Sequence, residues 1–193
     1  PGLNIAIPST PNDAYGLMCT ALASPGVTMF FEDRMISDSK TKPKDNDGLG
    51  PPTIPFGQAI VRRRPEKPKL TLLTYGLMRQ VVEIALEQEQ DNTVTLIDLR
   101  TLYPIDWSLV LASANGTGKV LLVEPDVAYG GIGAEIVARV AEKGLANVAR
   151  LGAPREVIPA SPAGQARMLP SREQIHSDAL GFHLCGFGCL VFG

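Results

Sequence analysis

Two short apolar runs, each followed by a helical pattern, constrain this chain more than anything else in it. They lie in Thr95 to Ile136 with its flanks. Val94, Leu96 and Ile97 form the first, long enough for a strand and too short for a helix. It ends at Asp98-Leu99-Arg100, and Pro104 prepares a helix start over residues 105–111. The second run covers residues 119–124 and stops at Pro125. Tyr129-Gly130-Gly131-Ile132-Gly133 then opens a helix whose apolar positions Ile136, Val137 and Val140 recur at helical spacing. Continuous apolar strands alternating with helices predict an α/β fold, a mostly parallel sheet with helices on both faces.

The chain has 193 residues and is 45% apolar, enough to bury a core in one or two domains. A net charge of −2 gives no reason to expect nucleic acid or an anionic membrane as a partner. No apolar run approaches the roughly 18 residues that cross a bilayer. Pro1-Gly2 reads as mid-protein sequence, so the lack of a leader carries no information. Cys19, Cys185 and Cys189 do not make a disulfide framework and point to a reducing compartment. His176 and His183 are the only histidines, which leaves little choice for a histidine base.

Residues 3–7 give a strand signal. Thr10 follows as a helix cap, with Pro11 in the first turn, Asp13 near the helix dipole, and a helix from Ala14 to Ala23. Residues 27–32 complete a βαβ unit, which leaves a sheet edge and an apolar face uncovered. It reads as the end of a larger domain, residues 1–35. Residues 36–57 read as a linker, and residues 58–180 as a second domain. Within that domain, Arg62 to Lys69 reads as a solvated basic turn between strands, the alternative being a phosphate or partner patch. Residues 70–74 are a buried strand and 77–88 a helix. Residues 148–151 are a last strand, and Ser171 caps a last helix. Residues 181–193 form an apolar, glycine-broken tail.

Asn115-Gly116-Thr117-Gly118-Lys119 lacks the earlier glycine of a phosphate-binding loop and precedes a strand, so it reads as a helix-ending turn. Gly130-Gly131-Ile132-Gly133 misses the dinucleotide spacing and reads as close packing of a turn against a neighbour. Glu124 and Asp126, at a strand's C-terminal end, read as solvated or interface carboxylates rather than catalytic ones. Cys185 and Cys189 with His176 and His183 would hold zinc only in a tightly folded loop, and their apolar surroundings argue against it.

Taken together, the motifs resemble the C-terminal part of the beta subunit of thiamine-dependent 2-oxo acid dehydrogenases, of the pyruvate and branched-chain type. The pieces are Pro1-Gly2-Leu3 with Pro8-Ser9-Thr10-Pro11, Phe30-Phe31-Glu32, Thr74-Tyr75-Gly76, and Asp98-Leu99-Arg100-Thr101-Leu102 with Pro104 and Asp106. Gly130-Gly131-Ile132-Gly133-Ala134-Glu135-Ile136, Pro159 with Ser161-Pro162, and Leu169-Pro170 complete the set, in order, to about residue 175.

The resemblance implies the end of a pyrimidine-binding domain in residues 1–35 and a transketolase C-terminal domain in 58–180. It implies thiamine diphosphate with magnesium, held mainly outside this chain, in an enzyme that decarboxylates a 2-oxo acid and passes the acyl group to a lipoyl group. Its implied partners are an alpha subunit, a second beta subunit and a lipoyl acyltransferase core, in a bacterial cytoplasm or a mitochondrial matrix. Docking of that core is expected at Glu124, Asp126, Gly130 and Gly131. Potassium is expected at the backbone of Ala21, Ser24 and Gly26, although Ser24 stands where the family usually has an aspartate. No residue matches the family's activating glutamate or active-site histidine, so no catalytic residue is assigned and the chain alone is expected to be inactive. A non-catalytic assembly module, or another thiamine enzyme of this fold, stays open at this point.

Overall fold

Local sequence fixes most element boundaries. In the computed structural model, which describes residues 2–34, 53–87 and 92–184, the first half runs β1 (Leu3–Ala6), α1 (Pro11–Ala23), β2 (Val27–Phe30), β3 (Ile60–Arg63), β4 (Leu70–Thr74) and α2 (Met78–Leu86). Then come β5 (Val94–Asp98), β6 (Thr101–Tyr103), α3 (Trp107–Thr117), β7 (Lys119–Val127), α4 (Ile132–Glu142), β8 (Asn147–Ala153), α5 (Pro162–Met168) and α6 (Arg172–Leu184). Among the described residues, no helix is long and apolar enough to cross a membrane.

Thr10 caps α1 as expected, its hydroxyl accepting from the Asp13 N–H at 3.1 Å. Thr10→Ala should therefore cost about 1 kcal/mol in urea unfolding; no change at all would mean that the cap carries no weight. At the other end of the chain, Ser171 Oγ accepts from the Gln174 N–H at 3.2 Å. Gly118 ends α3 in the left-handed region, at φ 67°, and its N–H donates to the Ala114 carbonyl. The glycines of residues 115–119 are thus a helix terminus.

Five strands form the larger sheet, in the order β3-β5-β4-β7-β8, all parallel except the edge strand β3. β4 and β5 are buried along their whole length, which is why their sequences do not alternate. Leu70, Leu72 and Leu96 pack against Met78 and Val82 of α2 and Ile175 of α6 on one face. Leu73, Ile97 and Leu122 pack against Val110 of α3 and Ile136 of α4 on the other. Helices therefore cover both faces.

A second sheet holds β2-β1-β6. β1 and β2 are the expected parallel pair, but β6 comes from the second half of the chain and runs antiparallel to β1. Arg100, at φ 61°, turns the chain out of β5 and into this other sheet. Alternation puts Leu3, Ile5, Val27, Met29 and Tyr103 on one face of it, four of them exposed. The opposite face buries Ala6 against Leu17 of α1 and Ile54, with Phe30 and Phe56 alongside.

Several expectations need correction. Ile54 and Phe56, assigned to a linker, belong to this small core: the Ile54 N–H donates to the Gly16 carbonyl, and Thr20 donates to the Ile54 carbonyl at 2.8 Å. β7 does not stop at Pro125 but reaches Val127. Its register with β8 shifts between Val123 and Val127, and β4 pairs only as far as Leu122, so no ladder needs the missing N–H. Arg62 and Arg63 lie in β3, not in a turn. α6 continues through Gly181 to Leu184. Cys185 and Cys189 lie outside the described residues.

Candidate functional site

The C-terminal edge of a parallel sheet is its usual ligand-facing edge, and here two polar clusters occupy it. The first joins the two sheets. Asp98, at the end of β5, and Asp13, in the first turn of α1, are both buried. Arg62 reaches across from β3. Its Nη2 lies 2.8 Å from Asp98 Oδ2 and also pairs with Asp13 Oδ2, and its Nε donates to Asp98 Oδ2 at 3.2 Å. Ser9, fully buried, donates to both carboxylates. Arg100 Nε sits 2.8 Å from Asp13 Oδ1, and Arg79 Nη2 donates to the Ser9 carbonyl at 2.8 Å. Burial works against the Arg62 charge, but Asp13 and Asp98 outweigh it and hold that guanidinium above its ordinary value. This cluster is a clasp between α1 and the larger sheet, built from charges that would be costly if unpaired.

The second cluster surrounds Glu124. Its side chain is buried at the end of β7, with Oε2 accepting from the Gly133 N–H at 3.0 Å and from the Tyr75 hydroxyl at 3.3 Å. The helix amide suits a carboxylate here. Among the described residues, Oε1 has no hydrogen-bond partner. The glycines fit tightly around this group. A Cβ on Gly133 would stand 2.5 Å from Glu124 Oε1 and 2.5 Å from Leu122 Cδ2, and one on Gly131 would stand 2.8 Å from the Val127 carbonyl. Close packing of the turn, the reading preferred from sequence, is what the structure contains.

Glu124 is therefore not a solvated carboxylate. It points inward because the Gly131–Gly133 backbone closes over it. Asp126 and Gly130 are exposed, and Gly131 is half-buried. Next to them Tyr129 lies under Arg155, 3.9 Å from guanidinium carbon to ring centre. Burial raises the Glu124 pKa, with Asp126 adding to it; the Gly133 amide, Tyr75 and Arg150 oppose. Burial, then the charges of Glu124 and Asp126, push the Tyr75 phenol up as well.

A carboxyl whose folded pKa lies above its unfolded value stabilises the fold most below the unfolded pKa, and that contribution is lost as pH rises through the folded one. The stability of the chain relative to Glu124→Gln should therefore fall as pH rises from about 4.5 upward. Urea unfolding of both proteins across that range measures it, and a flat difference would show that Glu124 titrates normally.

Ala21, Ser24 and Gly26 do share the turn after α1. The Ser24 N–H donates to the Ala21 carbonyl at 3.4 Å, and Gly26 takes φ 94°. Among the described residues, no three His, Cys, Asp or Glu side chains gather to hold a metal. Neither cluster at the sheet edge fits thiamine diphosphate: Glu124 and Tyr75 are buried against each other, and the Arg62 and Arg100 guanidiniums are already paired with Asp98 and Asp13. Sequence reading missed Ser9, Asp13, Arg62 and Tyr75 as partners. Asp98 ending an apolar strand was the one local hint.

Residues 57–175 match the family description "Transketolase, C-terminal domain". The chain belongs to the transketolase C-terminal domain family. Its similarity to curated proteins extends over most of its length. It is 32% identical over 185 residues to the pyruvate dehydrogenase E1 component subunit beta of Bacillus subtilis, covering 93% of this chain and 55% of that protein. It is 37% identical over 169 residues to the 2-oxoisovalerate dehydrogenase subunit beta of the same organism, covering 84% and 49%. The chain thus spans about half the length of these relatives. Among solved structures, a split gene transketolase, described as an inactive beta4 tetramer, matches with a TM-score of 0.76 over 95% of this chain and 58% of that one. At 16% identity that likeness speaks for the transketolase C-terminal fold alone.

Proposed function

We propose that this chain is the C-terminal part of the beta subunit of a thiamine-diphosphate-dependent 2-oxo acid dehydrogenase, which decarboxylates a 2-oxo acid and transfers the acyl group to a lipoyl group. The observation that carries the reading is identity above 30% over 84–93% of the chain with beta subunits of that class. The exposed apolar face of the β2-β1-β6 sheet, with Leu3, Val27, Met29 and Tyr103 in the open, supports the fragment reading, because a contiguous apolar face is normally covered by another element or chain. In this reading the cofactor and its magnesium sit mainly outside residues 1–193, against an alpha subunit, and the compartment is a bacterial cytoplasm or a mitochondrial matrix. Residues 58–180 serve association with a second beta subunit and docking of the acyltransferase core. Asp126 and Gly130 would be the contacts, with Glu124 and Gly131 holding the turn from behind. Potassium at the Ala21–Gly26 turn would show as a higher melting temperature in potassium chloride than in sodium chloride.

The test is the full-length subunit purified with its alpha partner and offered pyruvate and branched-chain 2-oxo acids with thiamine diphosphate. Release of carbon dioxide from one of them is the expected result. Failure of the pair both to bind the cofactor and to decarboxylate any 2-oxo acid overturns the reading.

A further inference from the structure

Two stretches that stand apart from the clusters above, the basic run 62–69 and the helix end 115–119, meet at one place. Arg64, Pro65, Glu66 and Pro68, from the β3–β4 connection, line a cleft of about 360 Å³ whose other wall is α3. That wall is a stripe at helical spacing, Leu109, Ala112 with Ser113, and Gly116 with Thr117. Thr95 of β5, only 4% exposed, lies at the base. Next to it in register, the Thr71 hydroxyl is already committed to Ser113 and Thr117, at 2.8 and 2.9 Å. Among the described residues, the Thr95 hydroxyl has no such partner.

The lining of this cleft carries both signs of charge. α3 ends here, and its last turn carries no basic residue, so its carbonyl end draws positive charge and repels an anion. Glu66 adds negative charge on the rim, while Arg64, exposed, offers a guanidinium suited to a carboxylate. Pro65, Pro68, Leu109 and Ala112 add a short apolar surface, with one wall stiffened by two prolines. A phosphate would satisfy Arg64 but oppose both Glu66 and the helix end. A purely apolar ligand would use neither charge. The volume is at the small end of ligand sites.

We propose that this cleft binds a free α-amino acid with an aliphatic side chain. The carboxylate pairs with Arg64, the ammonium sits toward Glu66 and the carbonyl end of α3, and the side chain lies on Leu109, Ala112 and the prolines. The Thr95 hydroxyl completes the polar contacts.

Calorimetric titration of the whole chain with L-leucine tests this, and the binding readout needs no partner subunit. One saturable site is expected, with 4-methylpentanoate (carboxylate only), 3-methylbutylamine (ammonium only) and glycine each at least about tenfold weaker. A Cβ at Gly116 meets nothing within 4 Å, so Gly116→Leu should fill the cleft without disturbing the fold, which a thermal melt verifies. Gly116→Leu and Arg64→Gln should each weaken leucine at least about tenfold. No leucine binding at millimolar concentration overturns the proposal. So does binding that survives Gly116→Leu, equal binding of 4-methylpentanoate, or tighter binding of inorganic phosphate.

Discussion

Asp98→Ala should cost the chain about 3 kcal/mol of stability, at the lower end of what breaking a buried ion pair costs. The carboxylate is fully buried and accepts from Ser9 Oγ, from two nitrogens of Arg62 and from the Arg100 N–H. Removing it leaves the Ser9 hydroxyl and a partly buried guanidinium to be satisfied by Asp13 alone. Arg62 is 18% exposed at its side chain, and this access to water keeps the loss from the top of the range. Asp98→Asn retains an acceptor for Ser9 and should fall between the two. Urea unfolding with a common slope measures both. A loss under about 1 kcal/mol for Asp98→Ala would mean that the cluster merely tolerates the charge.

Gly133→Ala is the second large effect, and its sign separates two accounts. Glycine inside a helix is normally a liability, so alanine there should stabilise by about 0.5–1 kcal/mol if local propensity ruled. At this position the new methyl would overlap Glu124 Oε1 and the end of Leu122, each 2.5 Å away. Neither can retreat, since both are fully buried and Glu124 is tied to the Gly133 amide. Overpacking should win, and destabilisation of about 3 kcal/mol is expected. Gly116→Ala, in the open, should be neutral or mildly stabilising in the same assay. If both alanines stabilise, the glycine turn is not closed on Glu124 as described.

These two sites differ in how far sequence could reveal them. The buried strands β4, β5 and β7, and the helices between them, were legible because unbroken runs such as Leu70-Thr71-Leu72-Leu73 have few other homes. The caps at Thr10 and Ser171 were legible because they act within three residues. The packing role of the Gly130–Gly133 turn was also readable from glycine density before a helix. The clasp was not: Asp13, Arg62 and Asp98 are separated by dozens of residues, and nothing local tells a paired charge from a solvated one. Glu124 was misread for the same reason, since its partners Tyr75 and Gly133 arrive from two other elements. β6 escaped because three residues carry no usable period, and the turn that creates it depends on a left-handed Arg100 rather than on a glycine.

β6 has a consequence for how the molecule comes apart. By position it follows β5, yet its ladder is with β1, and Gly57 N–H donates to its Thr101 hydroxyl. The clasp stitches the same two regions a second time. Connectivity and cooperativity therefore part company: a peptide-bond cut between Arg34 and Thr53 would leave two fragments that co-elute, and the cut chain would still melt in one transition. Two separate melting steps would mean that the strand exchange is too weak to bind the halves.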